Sequence, residues 1–153
     1  MRDGQHLQLS FIDVRKAYFN GVPRRPAHMK FSKESGFPSK MVAKLVRCAY
    51  GTKDAGRGFW KKLRRVLTEK ACLKENFNLK AFYHYVDEDG HVAAVMGIIV
   101  DDTIYAIRPD HKLILDAIAA ELVFGKIEER SFRFCGREIR QDEDFLSPVV
   151  RRR

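Results

Sequence analysis

The residues best suited to chemistry in this sequence are three aspartates. Asp13 ends a run carrying Leu7, Leu9, Phe11 and Ile12, and the pair Asp101–Asp102 interrupts the apolar stretch from Val92 to Ile107. If the chain brings them together, three like charges repel. The simplest way to keep all three ionised is to bind hard divalent cations, and open carboxylate sites of this kind suit magnesium, which retains waters and completes its shell with phosphate oxygens. Two such ions, roughly 4 Å apart, activate an attacking hydroxyl and stabilise a departing pyrophosphate. An adjacent acid pair is more often only a polar turn. Here, however, both flanks are strongly apolar, and the Gly or Asn through which tight hairpins usually turn is missing.

The elements around these acids can be read from periodicity. His6 to Val14 reads as a strand closed by Asp13. Asn20 to Pro38, with Gly21, Pro23, Pro26, Gly36 and Pro38, reads as a loop-rich excursion with a short extended piece around His28 to Phe31; Met41 to Tyr50 is apolar but of undetermined type. Phe59, Leu63, Val66 and Leu67 recur at helical spacing opposite Lys53, Arg57, Lys61, Lys62, Arg64 and Arg65, which predicts a basic amphipathic helix from about Asp54 to Lys70. Ala81 to Val86 and Val92 to Val100 read as strands joined by the turn Asp87-Glu88-Asp89-Gly90, and Thr103 to Ile107 resumes the strand pattern. Asp101 and Asp102 then sit at a hairpin tip. Pro109 opens a second helix carrying Leu113, Ile114, Ile118 and Leu122, with Gly125 as its expected stop, and Glu128 to Ile139 reads as extended.

This order predicts an α+β fold of the ferredoxin-like, split β-α-β-β-α-β kind: an antiparallel sheet with two helices on one face. In that topology the first strand and the central hairpin are neighbours, so Asp13 faces Asp101 and Asp102. The expected organisation is one domain over residues 1–146, with an insertion over about 20–50, and a basic flexible tail over 147–153.

Composition narrows the partners. With 29 Lys and Arg against 20 Asp and Glu the chain carries +9, the footprint of a protein that meets phosphates or anionic lipid. The acids in the middle of Val92 to Ile107 argue against a membrane span. The first dozen residues show no secretory signal, so an intracellular setting is expected. Cys48, Cys72 and Cys135 are too widely spaced for a zinc site and are expected as reduced core or near-core thiols, and Trp60 is expected in the core.

Four segments in order resemble the reverse transcriptases of copia-type long-terminal-repeat retrotransposons. Phe11-Ile12-Asp13-Val14-Arg15-Lys16-Ala17-Tyr18-Phe19-Asn20-Gly21 is similar to that family's first catalytic motif, and Ile99-Val100-Asp101-Asp102 to its Tyr-Val-Asp-Asp box, with isoleucine in place of the tyrosine. Ala49 to Arg57 resembles its Tyr-Gly-Leu-Lys-Gln-Ala-Pro-Arg segment, and Phe134-Cys135-Gly136-Arg137-Glu138-Ile139 its Phe-Leu-Gly-Ile-Glu-Ile motif.

The resemblance implies a polymerase palm making DNA on an RNA template with two magnesium or manganese ions on Asp13, Asp101 and Asp102, and with a DNA primer and deoxynucleoside triphosphates as partners. It implies that Tyr18 lies beneath the incoming sugar and excludes a 2′-hydroxyl, and that Gly51 and its helix support the templating base pair. Lys53, Arg57, Lys61 and Arg64 would meet template phosphates, while Phe134 and Gly136 belong to a hairpin at the primer end. It further implies a cytoplasmic particle or the nucleus as the setting. The remaining fingers, thumb, ribonuclease H and integrase regions have no counterpart in these residues. Such a fragment alone is expected to be poorly active or inactive, and the alternative is a catalytically inactive, nucleic-acid-binding remnant. A nucleotide cyclase shares the topology but leaves the Tyr50-Gly51 and Phe134 to Ile139 matches unexplained; an RNA-recognition module shares it too, but its stacking-aromatic signature is absent and acids at the hairpin tip would repel phosphates without a metal.

Overall fold

The structure is a computed structural model that describes residues 7–142 and 148–151. Its elements are β1 (Gln8–Val14), β2 (Ala27–Lys30), β3 (Val42–Leu45), α1 (Ala55–Arg65), β4 (Lys74–Glu75), β5 (Phe82–Val86), β6 (Val92–Ile99), β7 (Asp102–Ile107), α2 (Leu113–Ala119), β8 (Phe124–Glu129), β9 (Ser131–Phe134), β10 (Arg137–Gln141) and β11 (Pro148–Arg151). They fall into two compact units, one built from Met1–Arg15 and Arg65–Arg153, the other from Lys16–Arg64.

The first unit is an α+β structure around a six-stranded antiparallel sheet in the order β4-β5-β6-β7-β1-β8. Its strands are rich in β-branched and aromatic residues, and the core is drawn from them: Ile12, Val14, Tyr83, Ala93, Met96, Ile98 and Tyr105 are all buried. Ile114 and Ile118, one helical turn apart, turn the buried stripe of α2 inward, and α2 packs on the π-helical turn Val66–Lys70 that continues α1.

A second, three-stranded sheet, β11-β10-β9, is stitched to β1 in two ways. Phe11 stacks on Phe132 at 5.9 Å and meets the edge of Phe134 at 6.2 Å. The Gln141 amide imitates a strand: its Oε1 accepts from Leu9 N–H at 2.7 Å and its Nε2 donates to Leu7 C=O at 3.0 Å.

The second unit holds the β2–β3 hairpin and α1. Gly21 and Gly58 make its tightest packing possible. A Cβ on Gly21 would come within 2.9 Å of the Gly58 carbonyl carbon, while Gly21 C=O accepts from Cys48 N–H at 2.9 Å.

Several sequence expectations change. The predicted first helix forms as α1 plus its π-helical turn, with Phe59, Leu63, Val66 and Leu67 buried. The second helix is shorter than predicted, because Pro109–His111 is a 3-10 turn and α2 ends at Ala119. Gly125 is no helix stop; it lies inside β8. Glu128 to Ile139 is not one extended run but the end of β8 followed by the β9–β10 hairpin, turning through Cys135 and Gly136, both at positive φ. The segment expected as a flexible tail contains β11, paired with β10; residues 147, 152 and 153 lie outside the described residues. Only Cys48 is buried, whereas Cys72 and Cys135 are exposed, both with left-handed backbone. Burial pushes the Cys48 thiol up, with help from the Asp54 charge. Among the described residues no helix is long and apolar enough to cross a membrane.

Candidate functional site

The β1–β7 ladder puts Asp13 directly opposite Asp102, so both side chains leave the same face of the sheet. Across the other edge of β7, Asp102 is paired with Ile99, leaving only Val100 and Asp101 to make the turn. Asp101 is held against β1 as well, since its C=O accepts from Val14 N–H at 3.0 Å. Asp13 at the end of β1, Asp101 in the turn and Asp102 at the start of β7 are therefore gathered at one end of the sheet; Asp102, expected at the hairpin tip, is instead the first paired residue of β7.

The backbone of this tip is strained. Val100 has φ 59°, whereas Asp101 is not among the residues with positive φ. That combination belongs to a type II′ turn, whose first central position is normally glycine, and a β-branched residue there is an outlier. Residues held this way cost of order 1–3 kcal/mol and cluster at functional sites.

All three carboxylates are half-buried. Burial holds the Asp102 carboxyl above its ordinary range, and the charges of Asp101 and Asp13 push it further the same way. A cation placed among these acids would relieve their mutual repulsion.

A second group is tighter. Among the described residues the group whose donor atoms all lie within 4.8 Å of one another is Asp87, Asp89 and His91, at the β5–β6 turn; Asp13, Asp101 and Asp102 do not form so close a set. Asp87 already has partners for both oxygens, accepting from Arg108 Nη1 at 2.8 Å and from His91 N–H at 2.8 Å. The buried Arg108 also grips Asp110 with two bonds of 3.0 Å, and His111 Nδ1 lies 2.9 Å from Asp110. The Arg108 guanidinium thus already supplies a cation to Asp87 and Asp110, while Asp89 and His91 are exposed, and Asp87, Asp89 and His91 together could hold a metal ion. The guanidinium's grip on Asp110, aided by His111, holds that carboxyl down at about 2.

The other expected site residues are distributed over both units. Tyr18 lies in the second unit, half-buried, with Tyr50 edge-on at 4.9 Å; Phe19 also meets Tyr50, at 5.6 Å. Gly51 takes φ 83°, and a Cβ there would meet nothing within 4 Å, so its left-handed backbone accounts for the glycine. Arg57, Lys61 and Arg64 share one exposed face of α1, while Lys53 is exposed just before it. Trp60 is on that face too, 39% exposed rather than in the core, with the Arg64 guanidinium 5.7 Å from its ring centroid. Phe134 is committed to Phe11, and Gly136 is the second residue of its hairpin turn at φ 75°.

A cleft of about 700 Å³ runs over β9 and β10 beside Phe132, Arg133, Glu138 and Arg140, and none of the three aspartates lines it.

No family model matches the chain, and no curated protein matches it.

Sequence reasoning missed Val100, Gly125 and the Arg108 network. Nothing local marks Val100 or Arg108. Gly125 was visible, but as an apparent helix stop.

Proposed function

We propose that this chain is the palm part of an RNA-directed DNA polymerase of the copia-type retrotransposon kind, working on an RNA template and DNA primer with deoxynucleoside triphosphates. The observation that carries the reading is the direct cross-strand pairing of Asp13 with Asp102 beside the strained Val100–Asp101 tip. On this reading β8-β1-β7-β6 is the four-stranded heart of a ferredoxin-like palm, for which the chain order strand, helix, hairpin, helix, strand is the expected one.

Asp13, Asp101 and Asp102 would hold two magnesium or manganese ions. When bound, these activate the primer 3′-hydroxyl and neutralise the leaving pyrophosphate. The three carboxylates fit that role by donor chemistry and by their need of countercharge. Lys53, Arg57, Lys61 and Arg64 bind phosphates without regard to sequence, and Trp60 offers a ring for a base. The setting is a cytoplasmic particle or the nucleus.

Primer extension on an RNA template with magnesium or manganese, comparing the chain with its Asp101→Asn variant, tests the reading. Extension that Asp101→Asn abolishes is expected; no extension by the parent chain overturns autonomous catalysis. A second reading, a non-catalytic nucleic-acid-binding remnant, is favoured by the looser spacing of the three aspartates. It predicts nucleic-acid binding that Asp101→Asn leaves unchanged, with no extension.

A further inference from the structure

We infer that Gly125 is a positioning residue for Asp13: its missing side chain is the space the Asp13 carboxylate occupies. The inference rests on the metal-binding role proposed for Asp13. The β1–β8 ladder pairs Ile12 with Ile127 and then Val14 with Phe124, so two steps along β1 match three along β8. The extra residue is in β8, and Gly125 and Lys126 stand opposite Asp13. A bulge of this sort bends its strand and re-aims the side chains beside it.

A Cβ on Gly125 would overlap Asp13 Oδ2; it would also lie 3.3 Å from Asp13 Cγ and 3.2 Å from Arg15 Cγ. Gly125 does not have the positive φ seen at Gly36, Gly51, Gly90 and Gly136. Its backbone conformation is open to any residue, so the position needs glycine for volume and not for backbone freedom.

Any larger residue at 125 leaves two escapes: β8 moves away from β1, or the Asp13 side chain rotates. Ladder bonds flank the bulge, and Arg15 N–H also donates to Val123 C=O at 2.9 Å. Rotation about the Asp13 side chain disturbs fewer bonds. It displaces the carboxylate from the place beside β8 that Gly125 leaves open, so the effect falls on the acid site more than on the sheet.

The test is a double-mutant cycle on the full chain, with Gly125→Ala and Asp13→Ala alone and together, read by manganese binding in electron paramagnetic resonance and by thermal melting. Gly125→Ala is expected to weaken manganese binding by about tenfold or more, and to weaken it no further once Asp13 is Ala. Any drop in melting temperature caused by Gly125→Ala should shrink in the Asp13→Ala background, which keeps the cycle informative if the single variant is poorly folded. Gly97→Ala in β6, where the new Cβ meets only Ile104 Cγ2 at 3.4 Å and the Phe82 ring at 4.0 Å, is the matched control and should bind like the parent.

A crystal structure of metal-free Gly125→Ala should show the Asp13 carboxylate rotated with β1–β8 pairing retained. An unrotated Asp13, or an equal loss of manganese binding in both backgrounds, overturns the inference. Absence of manganese binding by the parent chain overturns the metal reading instead, and Asp13 rotation then still decides the steric role of Gly125.

Discussion

At the residue scale, the role proposed for Asp102 and the stability of the fold oppose each other. Its carboxyl sits above the ordinary 3.8 because it is part-buried beside Asp101 and Asp13. The folded chain therefore holds this proton more tightly than the unfolded chain does. The stabilisation is fully present below pH 3.8 and is lost as pH rises through the raised folded value. Asp102→Asn should consequently raise the unfolding free energy at pH 7 by up to about 1 kcal/mol, the range of a cross-strand like-charge pair. Denaturant titration of the two proteins without metal checks this. The same substitution should cut primer extension by about 100-fold or more if the site works as proposed, and greater stability with unchanged extension would remove Asp102 from the mechanism.

Two short elements, one at each end of the β6–β7 hairpin, make opposite predictions. At the tip, Val100 occupies the glycine position of a type II′ turn. Val100→Gly should stabilise the chain by about 1 kcal/mol, because the strain it relieves exceeds the added chain entropy. A fall in melting temperature would show that the turn is not strained.

At the other end, Arg108 and Asp87 have side chains only 7% and 9% exposed, and their pairing ties the β5–β6 turn to the start of the second helical region. Arg108→Leu strands a buried carboxylate and should lower the melting temperature by roughly 6–12 °C. Because Asp110 titrates at about 2 when folded against an ordinary 3.8, its share of this network is present above pH 3.8 and disappears as pH falls toward 2. Acid unfolding should therefore shift to higher pH in Arg108→Leu, which circular dichroism across that window would detect.

Charge is divided unevenly across the whole molecule. Lys16–Arg64 contains 13 Lys and Arg against 2 Asp and Glu, a net +11, while the remaining residues contain 16 against 18, a net −2. The acids proposed to hold metal and the cations proposed to hold phosphate thus belong to different units. Binding to a nucleic acid should be strongly salt-dependent and should not need a divalent ion. Replacing Arg57, Lys61 and Arg64 together by Gln should reduce the slope of log K against log salt by about 2 to 3, at roughly 0.9 per phosphate contact on a duplex. An unchanged slope would assign this face of α1 to solvent.

The sequence by itself determined what periodicity and residue chemistry encode locally: the β1, β5, β6 and β7 strands, the basic helix with its buried Phe59, Leu63, Val66 and Leu67, and the placing of Asp101 at a hairpin tip. Those signals are short-range and strong, because alternation and helical spacing are repeated several times within each element. Gly125 and Cys135-Gly136 were less legible, since a glycine can end a helix, turn a hairpin or clear room for a neighbour, and only its surroundings distinguish these roles. Element order already implies that Asp13 faces the acid pair; tertiary structure decided the register that sets it opposite Asp102, that Arg108 is buried among acids, that Trp60 is exposed, and that β8 bulges where Asp13 needs space. Each depends on partners far along the chain, which no local pattern can specify.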